Sequence, residues 1–207
     1  AASICPVPHA YTDHYYKRFL QFMDEPAITS KDIVMLGNSL TEGGGDWSAR
    51  LGKKNVRNRG IIGDEVMGIY DRLHQILPGH PAKLFLLIGV NDISHNLTSD
   101  SIVSMIRMTI ERIRKESPDT KLYLQSLLPF NESFGRYKSL TGKTDMVPEV
   151  NARLEALAKE KDIAYINLFP LFTEKGTNVL RSELTGDGLH LNEDGYRIWV
   201  KAIKKKI

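Results

Sequence analysis

Five short candidate strands, four of them apolar runs, separated by stretches with helical spacing, constrain this chain more than anything else in it. The candidate strands fall at 32–37, 55–59 (the polar Asn55-Val56-Arg57-Asn58-Arg59), 83–88, 121–126 and 163–167, and candidate helices occupy 12–24, 46–52, 64–76, 100–116, 148–160 and 193–204. Strands buried on both faces read as continuous aliphatic runs, and strands alternating with helices make βαβ units around a parallel sheet. The expectation is an α/β fold. In the segment 100–116, Ile102, Met105, Ile106, Met108, Ile110 and Ile113 are expected to cluster on one face as core packing, not as a cofactor box. Ser117-Pro118-Asp119 ends that helix, because proline disfavours helical geometry in the residue before it.

The 207 residues, 42% of them hydrophobic, suit one domain over 1–207, with an N-terminal arm and helix (1–30) packed on it. A net charge of +3 with scattered basic residues, apart from Lys204-Lys205-Lys206, argues against a nucleic-acid partner. Cys5 is the single cysteine, which rules out an internal disulfide and a cysteine-based metal cluster. No apolar run approaches the roughly 18 residues that span a bilayer, so no membrane span is expected. The chain starts Ala1-Ala2-Ser3 without a methionine. That start is expected to be what signal cleavage leaves, which places the protein outside the cell or in a periplasm, with the cytoplasm as the alternative.

The first apolar run ends abruptly in Gly37-Asn38-Ser39-Leu40-Thr41, and glycines follow through Gly45. Ligands bind at the C-terminal edge of open α/β sheets, so Ser39 is a candidate nucleophile. A serine hydroxyl needs a histidine to take its proton, and that histidine needs an acceptor on its other nitrogen. His9, His14, His74, His80 and His95 read as surface or capping residues. His190 differs, because Asp187 stands three residues before it in Gly186-Asp187-Gly188-Leu189-His190. On spacing alone two readings stay open: a carboxylate–imidazole pair, or a Gly-rich turn in which His190 caps a helix. A metal site that adds Glu193 and Asp194 is disfavoured, since both are expected to open the last helix, where carboxylates favour its dipole. No metal and no cofactor are expected. Donors for an oxyanion are available at Gly63, expected at a helix N-terminus, and at Asn91 after the third candidate strand. Each alone also fits a tight turn. The aperiodic stretch from Leu127 to Val147 is expected to wall the substrate site, with Phe130, Asn131 and Tyr137 as substrate-binding residues beside Phe134 and Arg136.

Taken in order, four blocks closely resemble the SGNH hydrolases, also called the GDSL esterase/lipase family. They are Gly37-Asn38-Ser39-Leu40, Gly63 within Asn58–Asp64, Gly89-Val90-Asn91-Asp92, and Asp187-Gly188-Leu189-His190. The resemblance implies a flavodoxin-like three-layer sandwich, with a parallel sheet of about five strands between helices. It also implies Ser39 as nucleophile, His190 as general base and Asp187 as its orienting partner. The N–H groups of Ser39 and Gly63 and the Asn91 amide would form the oxyanion hole, without a metal. One residue departs from the pattern: Asn38 stands where the family usually has Asp. Thr41 occupies the second glycine's place of Gly-x-Ser-x-Gly, which separates the chain from α/β-hydrolases, and no phosphate-binding Gly-x-x-x-x-Gly-Lys pattern occurs. The chain is most similar to bacterial acylhydrolases near platelet-activating-factor acetylhydrolases and carbohydrate acetylesterases. The expected reaction is removal of short acyl groups, acetyl above all, from a small-molecule or glycan ester. The alternatives are a lysophospholipase or thioesterase for longer chains, and a non-catalytic glycan-binding module on the same fold.

Overall fold

The five candidate strands form one parallel sheet in the computed structural model, which describes residues 11–207. Cys5, His9 and the rest of the arm through residue 10 lie outside the described residues. The strands are β1 (Ile33–Gly37), β2 (Val56–Gly60), β3 (Lys83–Leu87), β4 (Lys121–Gln125) and β5 (Ala164–Ile166), in the order β2-β1-β3-β4-β5. Every neighbouring pair is parallel. This is the flavodoxin-like order, whose connections leave β1 in opposite directions and open a crevice between the ends of β1 and β3. All five residues of β1 are buried, as a central strand of a covered sheet requires.

Helices flank the sheet: α1 (Asp13–Asp24), α2 (Ser39–Gly43), α3 (Trp47–Leu51), α4 (Val66–Tyr70), α5 (Val90–Ser94), α6 (Ser99–Glu116), α7 (Met146–Glu160) and α8 (Glu193–Ile203). Thr12, Thr98 and Asn192 cap α1, α6 and α8 by accepting first-turn N–H groups, which stops these helices where the sequence suggests. On α6, Ile102, Ile106, Ile110 and Ile113 are buried, but Met108 is exposed. Six residues on from Ile102 is about 240° around a helix, so Met108 points away from the core. Trp47 of α3 and Trp199 of α8 pack edge to face at 4.9 Å, and the Trp199 indole donates to Gln125 Oε1 of β4 at 2.8 Å. A second apolar cluster, Tyr15, Phe19, Phe22 and Ile61, seats α1 against the segment that follows β2. Among the described residues, no helix is long and apolar enough to cross a membrane.

Three expectations need correction. The helix expected over 64–76 is only α4, followed by 3₁₀ turns at Leu73–Gln75 and Leu77–Gly79. Asp64 and Arg72 are drawn into a buried ion pair, and Pro78 has no N–H to continue a helix. Two five-residue helices, α2 and α5, were not anticipated, since neither is long enough to show a period. And α7 starts two residues before Pro148, which sits within the first turn, where a missing N–H costs no intrahelical bond.

Candidate active site

Ser39 is the first residue of α2, and the chain reverses there directly from β1. Asn38 caps the helix through Oδ1, which accepts the Leu40 N–H at 3.0 Å, while its Nδ2 is buried without a partner among the described residues. The reversal brings α2 onto the end of β2. A Cβ on Gly60 would lie 2.1 Å from the Glu42 nitrogen, so only glycine allows that approach. At N1, the Ser39 N–H has no partner within its own helix. Its side chain is aimed across the crevice: His190 Nε2 lies 2.8 Å from Ser39 Oγ.

The imidazole is held by a turn built around Asp187. Oδ1 accepts the N–H groups of Leu189 (2.9 Å) and His190 (2.8 Å), and Oδ2 lies 2.6 Å from His190 Nδ1. Gly188 makes the turn at φ +89°, packed so closely on Asn131 and Phe134 that a side chain would not fit. One carboxylate therefore both shapes the turn and pairs with the ring, while the cap of α8 falls to Asn192 and not to His190. Burial works to raise the Asp187 carboxyl, but the hydrogen bonds from His190, Leu189 and Tyr137 outweigh it and hold the group well below the usual carboxylate range.

The donor side of the crevice is built differently. Gly63, with φ +82°, is the third residue of a tight turn closed by Asp64 N–H to Ile61 O at 3.1 Å. It is not at a helix N-terminus as expected, because α4 begins only at Val66. Its N–H meets no acceptor among the described residues. Asn91, in the first turn of α5, donates one Nδ2 hydrogen to Asp64 O at 2.9 Å, which leaves the second free. In return, Val66 N–H donates to Asp92 Oδ1 at 3.2 Å, so the segments after β2 and β3 are cross-linked twice.

Beneath them lies a fully buried ion pair. Arg72 donates to Asp64 Oδ2 through Nε (3.0 Å) and Nη2 (2.9 Å), and also to the carbonyls of Arg59 and Gly37, the ends of β2 and β1. Burial pushes the Asp64 carboxyl up, and Arg72 draws it back. Burial, reinforced by Glu65, pushes Asp92 up to about 7. Sequence reasoning missed Asp64, Arg72 and Asp92 as site residues. The available signal was that Asp64 and Asp92 directly adjoin the glycine and asparagine blocks.

The loop after β4 is only in part the wall expected of it. Phe130 is 2% exposed and belongs to the core, so it is not positioned to touch a substrate. Asn131 spends its amide on Leu180 O and its oxygen on Ser133, which fixes the loop instead of facing the crevice. Tyr137 reaches the site, but its hydroxyl is turned to Asp187 Oδ2 at 2.9 Å. Phe134 and Arg136 are exposed beside it. Of the other described histidines, His14 pairs with Glu42, His95 with Glu65, His74 packs on Phe19, and His80 is exposed in a left-handed turn. Glu193 and Asp194 open α8, with Glu193 paired to Arg50.

The comparisons with known proteins agree with this fold. Among curated proteins none matches the chain. A Streptococcus pneumonia structure named for platelet activating factor is similar with a TM-score of 0.84 and 25% identity, over 93% of this chain and 92% of that one. A GDSL-like lipase from Bacteroides thetaiotaomicron VPI-5482 has a TM-score of 0.80 and 25% identity, over 93% and 96%. The acetyl xylan esterase AlAXEase, at 20% identity, shares the fold with a TM-score of 0.69 over 85% and 99%. The GDSL-like lipase/acylhydrolase model matches residues 35–198, a span that contains all four blocks. The chain belongs to that family, and it is an ester hydrolase.

Proposed function

We propose that this hydrolase removes short acyl groups, acetyl first, from a polar acceptor such as a sugar, using Ser39, His190 and Asp187. The observation that carries the reading is the continuous relay from Ser39 Oγ through His190 (2.8 Å) to Asp187 (2.6 Å). Ser39 attacks the ester carbonyl as His190 Nε2 takes its proton, and Asp187 stabilises the imidazolium that forms. The N–H groups of Ser39 and Gly63 and the free hydrogen of Asn91 hold the tetrahedral oxyanion. His190 then protonates the departing alcohol, and water repeats the cycle on the acyl-enzyme.

Support for a sugar acceptor comes from the rim. Phe134 packs on Gly188, next to the Asp187–His190 pair, and leaves its ring 38% exposed. Arg136 and Lys138 stand exposed on the same loop. An aromatic face flanked by donors suits a hydroxylated ring. A second reading, hydrolysis of longer acyl chains, is favoured by Ile62, which is 49% exposed next to Gly63.

Turnover of p-nitrophenyl esters from acetyl to octanoyl, with Ser39→Ala alongside, separates the two. Activity that falls with chain length and vanishes in Ser39→Ala supports the short-acyl enzyme and leads on to acetylated sugars. Preference for octanoyl supports the second reading. Turnover that survives Ser39→Ala removes Ser39 from the mechanism.

A further inference from the structure

The Asp187 carboxylate accepts more hydrogen bonds than orientation requires. Oδ1 takes the N–H groups of Leu189 and His190, with the Thr185 hydroxyl at 3.4 Å. Oδ2 faces His190 Nδ1, and those bonds already fix the carboxylate in place. Tyr137 then arrives from a distant loop and donates to Oδ2 as well, at 2.9 Å. Its oxygen stands 3.2 Å from His190 Nδ1, and its ring meets the imidazole edge to face at 5.7 Å.

The loop is strapped down on both sides of this contact. Lys143 donates to Ile93 O (3.1 Å) and Asn96 Oδ1 (2.7 Å), while Glu132 accepts from the Gly142 N–H and the Thr144 hydroxyl. Tyr137 is part-buried and not fully enclosed, so burial alone does not force its hydroxyl onto a protein partner. The protein directs it to a carboxylate all the same.

We infer that Tyr137 is a fourth, positioning member of the Ser39–His190–Asp187 relay, whose hydroxyl spreads the Asp187 charge and so sets the pH range over which His190 serves as base. The inference rests on the relay proposed above. A donor shared with the imidazole weakens the pull of the carboxylate on the imidazolium, which keeps His190 free to accept a proton at lower pH. The bond from Tyr137 to Asp187 is charge-assisted and shorter than its approach to Nδ1, so the effect on the carboxylate dominates. The groups in contact with the pair are Ser39 from α2, Thr185 from the preceding segment, and Tyr137 from the loop, whose hydroxyl the Arg136 charge also reaches. Burial and the bond to Asp187 push the Tyr137 hydroxyl up, so it stays protonated and able to donate throughout the working range.

The test compares Tyr137→Phe, which keeps the ring, with Tyr137→Leu, which removes ring and hydroxyl. For Tyr137→Phe the acid limb of kcat/KM should move to higher pH by about half a unit to one unit. Rate near pH 6 should then fall about three- to tenfold, with near wild-type turnover restored above pH 8.5. Tyr137→Leu should lose rate at every pH. Imidazole titration by NMR, with the His190 signal assigned through His190→Gln, reads the same shift without any substrate.

A uniform loss in Tyr137→Phe with the limb unmoved would overturn the inference and reduce Tyr137 to packing, as would an unshifted imidazole titration. A shifted imidazole in a protein that turns over none of the p-nitrophenyl esters would uphold the role of Tyr137 while sinking the short-acyl reading. Ester turnover without the shift would do the reverse.

Discussion

The two sides of the crevice are held by different physics. The donor side, formed by the segments after β1, β2 and β3, is tied from below by Arg72 and Asp64, both 0% exposed at the side chain. Their bonds run to the ends of two strands, so the positions of Ser39, Gly63 and Asn91 are part of the global fold. The proposed acid–base side is a turn of four residues, with the His190 side chain 36% exposed. It is held by bonds within the turn, by Tyr137, by the Thr185 hydroxyl and by the Asn131 N–H, which donates to Gly188 O at 2.7 Å. The difference follows from the tasks. Oxyanion donors act by being in place before charge develops, which rewards rigidity. A base must reach both the departing alcohol and the attacking water in every cycle, which demands access. Damage to the donor side should therefore register in stability, and damage to the turn should register far more in rate than in stability.

The largest effect expected is from Asp187→Asn. An asparagine oxygen can still accept the Leu189 and His190 N–H groups, so the turn should hold and the melting temperature should fall only by the modest share that the ionised carboxylate contributes. Turnover should fall by about 10⁴-fold, because the imidazolium loses its counter-charge and the ring its tautomer. A melting temperature that collapses together with the rate would break the contrast from this side. Arg72→Met is the matching change below the donors. It strands the Asp64 carboxylate in the core, at a cost of about 3–5 kcal/mol, or on the order of 10 °C in a chain of this size. Adding Asp64→Leu should recover part of the loss, since an apolar pair needs no partner. If Arg72→Met melts like wild type, the ion pair is not what ties the strand ends together.

Asn91→Ala lies between these cases. It removes a proposed oxyanion donor and one of the two links between the segments after β2 and β3. A drop on the order of 10² in kcat with little change in KM is expected. Because the Val66–Asp92 link survives, melting should shift far less than for Arg72→Met. Full activity in Asn91→Ala would remove the amide from the mechanism.

These contrasts also explain what could be read from the chain. The strands were legible within a residue or two because four of the five are apolar runs and the second falls between two helical stretches, and α6 because its isoleucines recur on one face. Ser39, Asp187 and His190 were legible as candidates because each sits in a local turn whose residues are contiguous. Arg72 and Asp64 were not. A charge inside an amphipathic pattern reads as solvated surface, and only tertiary folding turns it inward. Phe130 and Asn131 failed for a related reason. The sequence marks a long loop, but which of its side chains faces the crevice is decided by the contacts its ends make, here with Leu180 and Gly188. The five-residue α2 and α5 carry too few residues for any period to emerge.

The smallest effect sharpens the contrast most finely, because Asp92 belongs to the donor side yet adjoins a reacting group. Burial raises its carboxyl from 3.8 to about 7 in the folded protein, so the folded state binds that proton more tightly than the unfolded chain. Its contribution to stability is fully present below about pH 4 and is lost as pH rises through about 7. In Asp92→Asn that slope disappears, while an amide oxygen remains to accept the Val66 N–H. Urea midpoints of the variant should therefore gain on wild type between pH 5 and pH 8, with kcat reduced by a few-fold at most because Asn91 keeps its bond to Asp64. Parallel midpoint curves would show that Asp92 does not titrate between those values. A loss of rate as large as that of Asn91→Ala would mean that the two links are one cooperative unit, and the donor side would then answer to a single proton.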